Sequence, residues 1–319
     1  MSEARLVTVD CDYVMPGLAC AYLRVQGGAG GRADGREAAF IETNTAHAVP
    51  KLMEALAREG LEPAQVKWIV VTHVHLDHAG GASALAKLCP NATVLAHPRA
   101  VRHLVDPTKL VASATQVYGA EAFEKLYGTI EPIDAARVRA LEDGETVALG
   151  DAELRFLHTR GHANHHFVVH DPAHDTVYTG DAFGIIYPHL QAAGRFAFAT
   201  TSPTDFDAAA ARESIDRIVA LGTRTVCPTH FGEVDRVQEI AEQLRAWIDV
   251  SEQAMHAVAT LPDAELEPAI RARLDEAMDR AMAQRGLEPD ETARQLLQFD
   301  LALNAQGLAH AVRRARASA

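Results

Sequence analysis

Cysteine is scarce in this chain of 319 residues, and the four present, Cys11, Cys20, Cys89 and Cys227, show no paired metal spacing. That argues against a thiolate metal cluster and for reduced, mostly buried thiols in a cytoplasmic protein. Cys227 is near His230 in sequence, but its Val-Cys-Pro setting at a strand end makes a core role the expected one. Positive charge is also in short supply. There are 30 Lys and Arg against 43 Asp and Glu, a net charge of −13 and a pI near 5.6. Such a surface repels phosphate backbones, so no nucleic-acid partner is expected. No apolar run approaches the length of a membrane span. The opening Met1-Ser2-Glu3-Ala4-Arg5-Leu6 lacks the apolar core of a signal peptide, and no membrane partner is expected. A Walker spacing and a G-x-S-x-G elbow are missing too. The Gly-rich stretch Gly27–Arg36 therefore reads as a hairpin tip and not as a phosphate cradle.

Against these absences stands one dense cluster. Thr72-His73-Val74-His75-Leu76-Asp77-His78 carries four metal-capable side chains, His73, His75, Asp77 and His78. It follows the strand-like run Val66-Lys67-Trp68-Ile69-Val70-Val71. It precedes Ala79-Gly80-Gly81 and the helix-like Ala82–Leu88. On a strand-to-helix turn, short side chains can converge on one point. Imidazole nitrogen and carboxylate oxygen suit zinc and related divalent ions. A solvated His-rich turn is the plain alternative, and three downstream segments weigh against it. Thr159-Arg160-Gly161-His162 follows the strand pattern Glu153–His158. Tyr178-Thr179-Gly180-Asp181 ends another, and Thr225-Val226-Cys227-Pro228-Thr229-His230-Phe231-Gly232 closes a third. Each places one ligand-type residue at a strand end beside Gly or Pro, where α/β folds assemble sites.

The H-x-H-x-D-H run, the later Gly-His, the Gly-Asp and the final Thr-His resemble, in that order, the metallo-β-lactamase-fold hydrolases. The resemblance covers roughly residues 5–235. It implies one metal held by His73, His75 and His162, and a second held by Asp77, His78 and His230, with Asp181 bridging the two. Asp77 and Asp181 are then the catalytic carboxylates. The pattern looks like the glyoxalase II and lactonase branch. It departs from the true β-lactamases, which lack the bridging carboxylate at this position, and from flavodiiron reductases, which usually carry Glu where this chain has His75. Glu42-Thr43-Asn44 stands where the family usually has Asp-x-Gly, whose carboxylate supports the ligands from behind. His165 and His166 follow His162. Strand alternation puts one of them toward the site and the other on the opposite face, as a supporting or simply hydrogen-bonded His. Phe183 and Tyr187 follow Asp181 and are candidates for lining the pocket or for packing.

The remaining pattern supports an α/β fold with two sheets faced by helices, the four-layer αββα sandwich that the resemblance implies. Leu6–Val9, Leu18–Val25, Ala38–Glu42 and Thr93–Ala96 are strand-like. Thr45–Glu59, Pro98–Val105, Ser113–Tyr127 and Thr204–Leu221 are helix-like, the last with Asp205 as a candidate cap. Residues 1–235 form the expected catalytic domain, and 236–319 an α-helical extension. Two apolar stripes run through that extension: Val237, Ile240, Leu244, Trp247 and Ile248, then Leu296, Leu297, Leu301 and Leu303. The first suits packing on the catalytic domain, and the second suits a homodimer. The expected activity is dinuclear metal-dependent hydrolysis of a small ester, thioester, lactone or related acyl bond through a metal-bridging hydroxide. Zinc is the expected ion, and iron and manganese suit the same ligands. The alternative is a diiron redox or oxygen-sensing protein on the same fold, against which His75 and the lack of an appended flavin domain both argue.

Overall fold

A computed structural model describes residues 4–27 and 35–318, so most of the expected hairpin tip at Gly27–Arg36 lies outside the described residues. The chain divides into two compact units. The first comprises residues 1–158, 165–180 and 223–233; the second comprises 159–164, 181–222 and 234–319.

Both sheets belong to the first unit. β1 (Arg5–Asp10), β2 (Cys20–Gln26), β3 (Glu37–Ile41), β4 (Val66–Val70), β5 (Thr93–Ala96) and β6 (Val138–Ala140) form a six-stranded sheet in chain order. The β1–β2–β3 pairs are antiparallel, and the pairs from β3 to β6 are parallel. β7 (Thr146–Leu149), β8 (Ala152–His158), β9 (Phe167–Asp171), β10 (Thr176–Gly180) and β11 (Thr225–Pro228) form a five-stranded sheet, antiparallel except for β10–β11. Parallel pairs need crossovers. α1 (Val49–Arg58) supplies the first, and α2 (Leu76–Ala79) with α3 (Ala82–Leu88) supplies the second. α4 (Val101–Val105), α5 (Thr108–Tyr118) and α6 (Ala120–Tyr127) fill the third.

β2 is buried on both faces, and its alternation separates two cores. Ala21, Leu23 and Val25 join Leu52 and Leu56 of α1 and Leu85 of α3. Cys20 and Tyr22 face the second sheet, with Phe156, Phe167 and Val169. The layer order in this unit is therefore helices, sheet, sheet. The α/β class, with two mixed sheets and C-terminal helices, matches the expectation. Ser113–Tyr127 is not one helix: Gly119, at φ +82, breaks it into α5 and α6, because a left-handed residue cannot continue the ladder.

In the second unit α7 (Ala208–Val219) is capped by Asp207, whose Oδ1 accepts from the Ala210 amide at 2.9 Å. Asp205 takes another task and accepts from the Asn164 amide at 3.1 Å. α8 (Val237–Ala257), α9 (Asp263–Gln284) and α10 (Glu291–Ser318) follow. α8 buries Ile240, Leu244, Trp247 and Ile248 as its stripe predicts. α10 lies against α9, with Arg271 Nη1 donating to the Gln298 carbonyl at 2.9 Å. Leu296, Leu297 and Leu301 are buried within the chain itself, and Leu303 is half-buried. No helix among the described residues is long and apolar enough to cross a membrane.

An ion pair crosses between the sheets inside the first unit. Arg24 on β2 donates from Nε to Asp171 Oδ2 at 2.6 Å, and both side chains are wholly buried. Two charges taken out of water need each other more than the fold needs the pair. Arg24→Ala is expected to lower unfolding free energy by about 3–5 kcal/mol in urea titration. Arg24→Met combined with Asp171→Leu should recover most of that loss. Equal stability of the single variant and the wild type would show that the pair is inconsequential.

Candidate metal centre

The metal turn begins where β4 ends. The Phe167 amide donates to the Thr72 carbonyl at 3.0 Å, and the His78 and Ala79 amides both donate to the His75 carbonyl at 3.0 Å, closing the single turn of α2. The loop after β3 is stitched to this turn. The Thr43 amide and hydroxyl donate to the His78 carbonyl at 2.9 and 2.8 Å, and Asn44 Nδ2 donates to the Asp77 carbonyl at 3.0 Å. Glu42 and Asn44 occupy left-handed backbone, at φ +66 and +50. Asn tolerates that region; for Glu it is uncommon and marks a constrained site.

The constraint delivers the Glu42 carboxylate into the interior. Its Oε1 accepts from the Thr72 hydroxyl, from the Thr229 hydroxyl at 3.3 Å and from His78 Nδ1 at 3.2 Å. Thr72 spends its one proton on Glu42, so its oxygen accepts from His73 Nδ1 at 3.1 Å. His230 Nδ1 donates to the Leu18 carbonyl at 2.8 Å. Three histidines thus have Nδ1 engaged as a donor, and each presents Nε2 as the lone-pair nitrogen. Asp77 Oδ2 lies 3.5 Å from His230 Nε2 and 3.8 Å from His78 Nε2. Asp77, His78 and His230 therefore bring two imidazole nitrogens and a carboxylate oxygen within one ion's reach. This donor set and its fixed tautomers fit a divalent ion. Glu42 also approaches His73 and His78, but three donors occupy its Oε1, and it acts from behind them.

The His73 ring sits 4.5 Å from His75 and 4.0 Å from His78, centroid to centroid. His166 and His165 lie 4.9 and 6.2 Å from His73, so both rings are on the His73 side. The alternation expected of them fails because residues 161–166 form a turn and β9 starts only at Phe167. Gly180, the last residue of β10, has φ +49. A Cβ there would collide with Thr72 Oγ1 and would stand 2.7 Å from His166 Nε2, so only glycine brings β10 this close to the turn.

The second unit holds His162 and Asp181, with His162 Nε2 3.4 Å from Asp181 Oδ2. The backbone leading to His162 is fixed by the Asp207 amide on the Gly161 carbonyl at 2.9 Å and by Ser214 Oγ on the Arg160 carbonyl at 2.6 Å. A small cavity bordered by His162 and Asp181 is walled by Phe206, Ile215, Leu244 and Ile248. The helical extension, through α8, therefore borders the His162–Asp181 pair. Phe183 and Tyr187 are buried in the same unit, with the Tyr187 ring 6.4 Å from Phe198. Sequence reasoning missed Thr72, Thr229 and the Leu18 carbonyl. The first two were signalled by the Thr-His dipeptide that recurs at Thr72-His73 and Thr229-His230; a backbone carbonyl leaves no signal.

The architecture is that of an α/β protein whose clustered His and Asp donors could hold divalent metal ions. Over residues 31–230 the chain matches the family model described as metallo-beta-lactamase superfamily, and it belongs to that superfamily. A 174-residue stretch is 30% identical to the metallo-beta-lactamase fold-containing protein ST1585 of Sulfurisphaera tokodaii, covering 53% of this chain and 62% of that protein. A 118-residue stretch is 27% identical to the acyl-coenzyme A thioesterase MBLAC2 of Gallus gallus, covering 35% and 40%. The chain thus spans less than two thirds of the length of either relative. Among solved structures, ST1585 superposes with a TM-score of 0.64 at 22% identity, over 95% of this chain and 97% of that one. TTHA1429 from Thermus thermophilus, a metallo-beta-lactamase family protein, superposes with a TM-score of 0.65 at 22% identity, over 99% and 94%. At that identity the structures speak to fold alone.

Two outcomes are expected from this geometry. Glu42→Gln swaps a proton acceptor for an amide facing His78 Nδ1 and should weaken divalent-ion affinity about 10–100-fold in chelator competition. Unaltered affinity would show that the carboxylate does not orient the ligands. His97, buried near His158, has its pKa pushed down to about 4, first by burial and then by the His158 and His165 charges. A folded-state pKa below the ordinary 6.5 favours the native state fully above that pH, and the benefit is lost as pH falls toward 4. His97→Gln should accordingly flatten the decline in Tm between those two pH values; a parallel decline in both proteins would assign the loss to other groups.

Proposed function

We propose that this chain is a dinuclear metal-dependent hydrolase that cleaves an ester, thioester, lactone or related acyl bond of a small molecule. The observation that carries the reading is the convergence of Asp77 Oδ2 on the Nε2 atoms of His78 and His230, at 3.8 and 3.5 Å, with both Nδ1 atoms engaged elsewhere. In this reading His73, His75 and His162 hold one ion, Asp77, His78 and His230 hold the other, and Asp181 serves both. Divalent ions of that kind, zinc above all, lower the pKa of water toward neutrality and polarise a carbonyl oxygen.

The chain's own groups have separate tasks. Glu42 and the Leu18 carbonyl orient His78 and His230 by accepting their Nδ1 protons. Thr72 passes the same constraint to His73. Apolar walls from Phe206, Ile215, Leu244 and Ile248 exclude bulk water around His162 and Asp181, which strengthens every charge interaction there. A thiol nucleophile is not part of the scheme. Burial pushes Cys20 up to about 12 and Cys89 to about 11, and raises Cys11 and Cys227 as well, so none carries a thiolate at neutral pH. The likeness to an acyl-coenzyme A thioesterase favours carbonyl chemistry of the thioester type among the acyl bonds named.

The test is metal analysis paired with a screen of ester, thioester and lactone substrates. About two ions per chain are expected, with hydrolysis lost on chelation and restored by zinc. Asp181→Ala should lower kcat on the order of a thousandfold, because it disturbs both ions, and His165→Ala about tenfold at most. Hydrolysis that persists in metal-free protein would overturn the reading. Equal losses in the two variants would overturn the ligand assignment.

A further inference from the structure

Within the second unit, α10 lies along a stretch of irregular backbone, residues 199–206. Buried backbone of that kind must find its hydrogen-bond partners outside any ladder of its own. Asn304, buried on α10, supplies several. Its Oδ1 accepts from the Thr201 amide at 2.7 Å, its carbonyl accepts from the Thr201 hydroxyl at 3.2 Å, and its Nδ2 donates to the Ala199 carbonyl at 3.4 Å. Gly307, almost one turn further on, lets the helix lie close against this backbone. A Cβ there would collide with the Thr201 carbonyl. Arg314 shares that helix face, seven residues past Gly307. It donates from Nη1 to the Thr204 carbonyl at 3.0 Å and from Nη2 to the Phe206 carbonyl at 2.7 Å.

The same stretch meets the candidate ligands. Ala199, Thr200 and Phe206 border the small cavity that His162 and Asp181 border. Asp205 Oδ2 accepts from the Asn164 amide at 3.1 Å, and the Asp207 amide donates to the Gly161 carbonyl at 2.9 Å, so His162 lies between two anchors. Just before the stretch, Phe198 exchanges backbone bonds with Ile185 at 2.9 and 3.3 Å, and the Gly184 amide donates to the Asp181 carbonyl at 3.1 Å. The turns that carry His162 and Asp181 are thus tied to one stretch of chain, and that stretch is tied to α10. The packing of α10 on α9 uses other residues: Leu297 and Leu301 border a groove with Met278 and Met282 of α9. A buried amide costs free energy unless its bonds are made, so Asn304 is explained by the stretch it holds.

We infer that Asn304, with Gly307 and Arg314, is a positioning residue for the His162–Asp181 pair. It fixes the stretch from which both ligand turns hang, and so sets the 3.4 Å between His162 Nε2 and Asp181 Oδ2 at which the two can share an ion. The inference rests on the reading above in which His162 and Asp181 are metal ligands. Ligand atoms must be held within a fraction of an ångström for full affinity, and residues that only orient ligands commonly change affinity by about 10–100-fold. The last helix of the chain then serves the metal centre as well as the helical bundle.

The test uses the full chain loaded with Co(II). Its visible absorption reports ligand geometry and chelator competition reads its affinity, so neither readout needs a substrate. Asn304→Leu keeps the volume and removes the side-chain bonds. Arg314→Met removes two bonds at an exposed position, and it decides the question if circular dichroism shows Asn304→Leu unfolded. Leu297→Ala loosens α10 in the bundle and is the control for lost stability. His162→Ala identifies the ion concerned. The expected result is that His162→Ala loses one Co(II) ion and that Asn304→Leu holds that ion about 10–100-fold more weakly, with a changed absorption band. Arg314→Met should shift both readouts in the same direction. Leu297→Ala should lower Tm but keep the wild-type affinity and spectrum. Wild-type affinity and spectrum in the folded Asn304 and Arg314 variants overturn the inference, and the ligand reading stands as long as His162→Ala loses its ion. An equal change in Leu297→Ala overturns it as well, since general loosening then accounts for the effect. Unaltered Co(II) content in His162→Ala removes the ligand reading, and the inference with it.

Discussion

A buried carboxylate holds the metal turn in shape. Glu42 is almost wholly shielded from water, and removing a carboxylate from solvent costs several kcal/mol unless donors replace the water. The donors come from two regions far apart in sequence: Thr72 and His78 on the turn after β4, and Thr229 after β11. Satisfying one acceptor thus draws three strand ends to a point. The same bonds decide which nitrogen each histidine presents. His78 gives its Nδ1 proton to Glu42, His73 gives its own to Thr72, and the Nε2 atoms remain for the ion. The orientation of these imidazoles follows from the donors that the buried carboxylate requires.

The two sheets make that convergence possible. Parallel pairing across β3, β4 and β5 places the ends of these strands on one edge, and parallel pairing of β10 with β11 does the same in the second sheet. The core between the sheets is apolar, with Tyr22, Phe156 and Phe167 among its members. Polar links cross it as well: the Tyr22 hydroxyl donates to the Pro228 carbonyl at 2.6 Å, Trp68 Nε1 donates to the Ala148 carbonyl at 2.8 Å, and Arg24 pairs with Asp171. An ion pair at such a place adds little net stability, but a slipped register would leave both charges unpaired, which penalises alternatives more than it favours the native state.

Much of this was legible in the residues, and the reasons differ from element to element. The run His73-Val74-His75-Leu76-Asp77-His78 announced itself because ligand chemistry is local and dense. α8 was legible through its apolar stripe. The break at Gly119 was misread because a lone glycine inside a helical pattern is often tolerated, and only its backbone angle shows that the ladder stops. The cap of α7 was placed at Asp205 instead of Asp207, an ordinary boundary error in a stretch with two candidate caps. The expected faces of His165 and His166 failed because alternation holds only inside a strand, and β9 begins one residue later. The Leu18 carbonyl that orients His230 was beyond reach, since every residue has a carbonyl and only the fold selects one.

The departure at Glu42-Thr43-Asn44 is the place where sequence and geometry explain each other. The left-handed backbone at Glu42, φ +66, sets the direction from which its carboxylate reaches its donors. That conformation costs an L-residue roughly 1–2 kcal/mol. Asn44 also adopts it, at φ +50, and tolerates it because a short polar side chain can hydrogen-bond locally, here by donating to the Asp77 carbonyl. Two strained residues and one longer acid thus form a single unit. A glycine at position 44 would relieve backbone strain but remove the bond that anchors the carbonyl of Asp77, one of the proposed ligands. The Glu and the Asn are each unfavourable on their own; together they place the acid and hold the turn it supports.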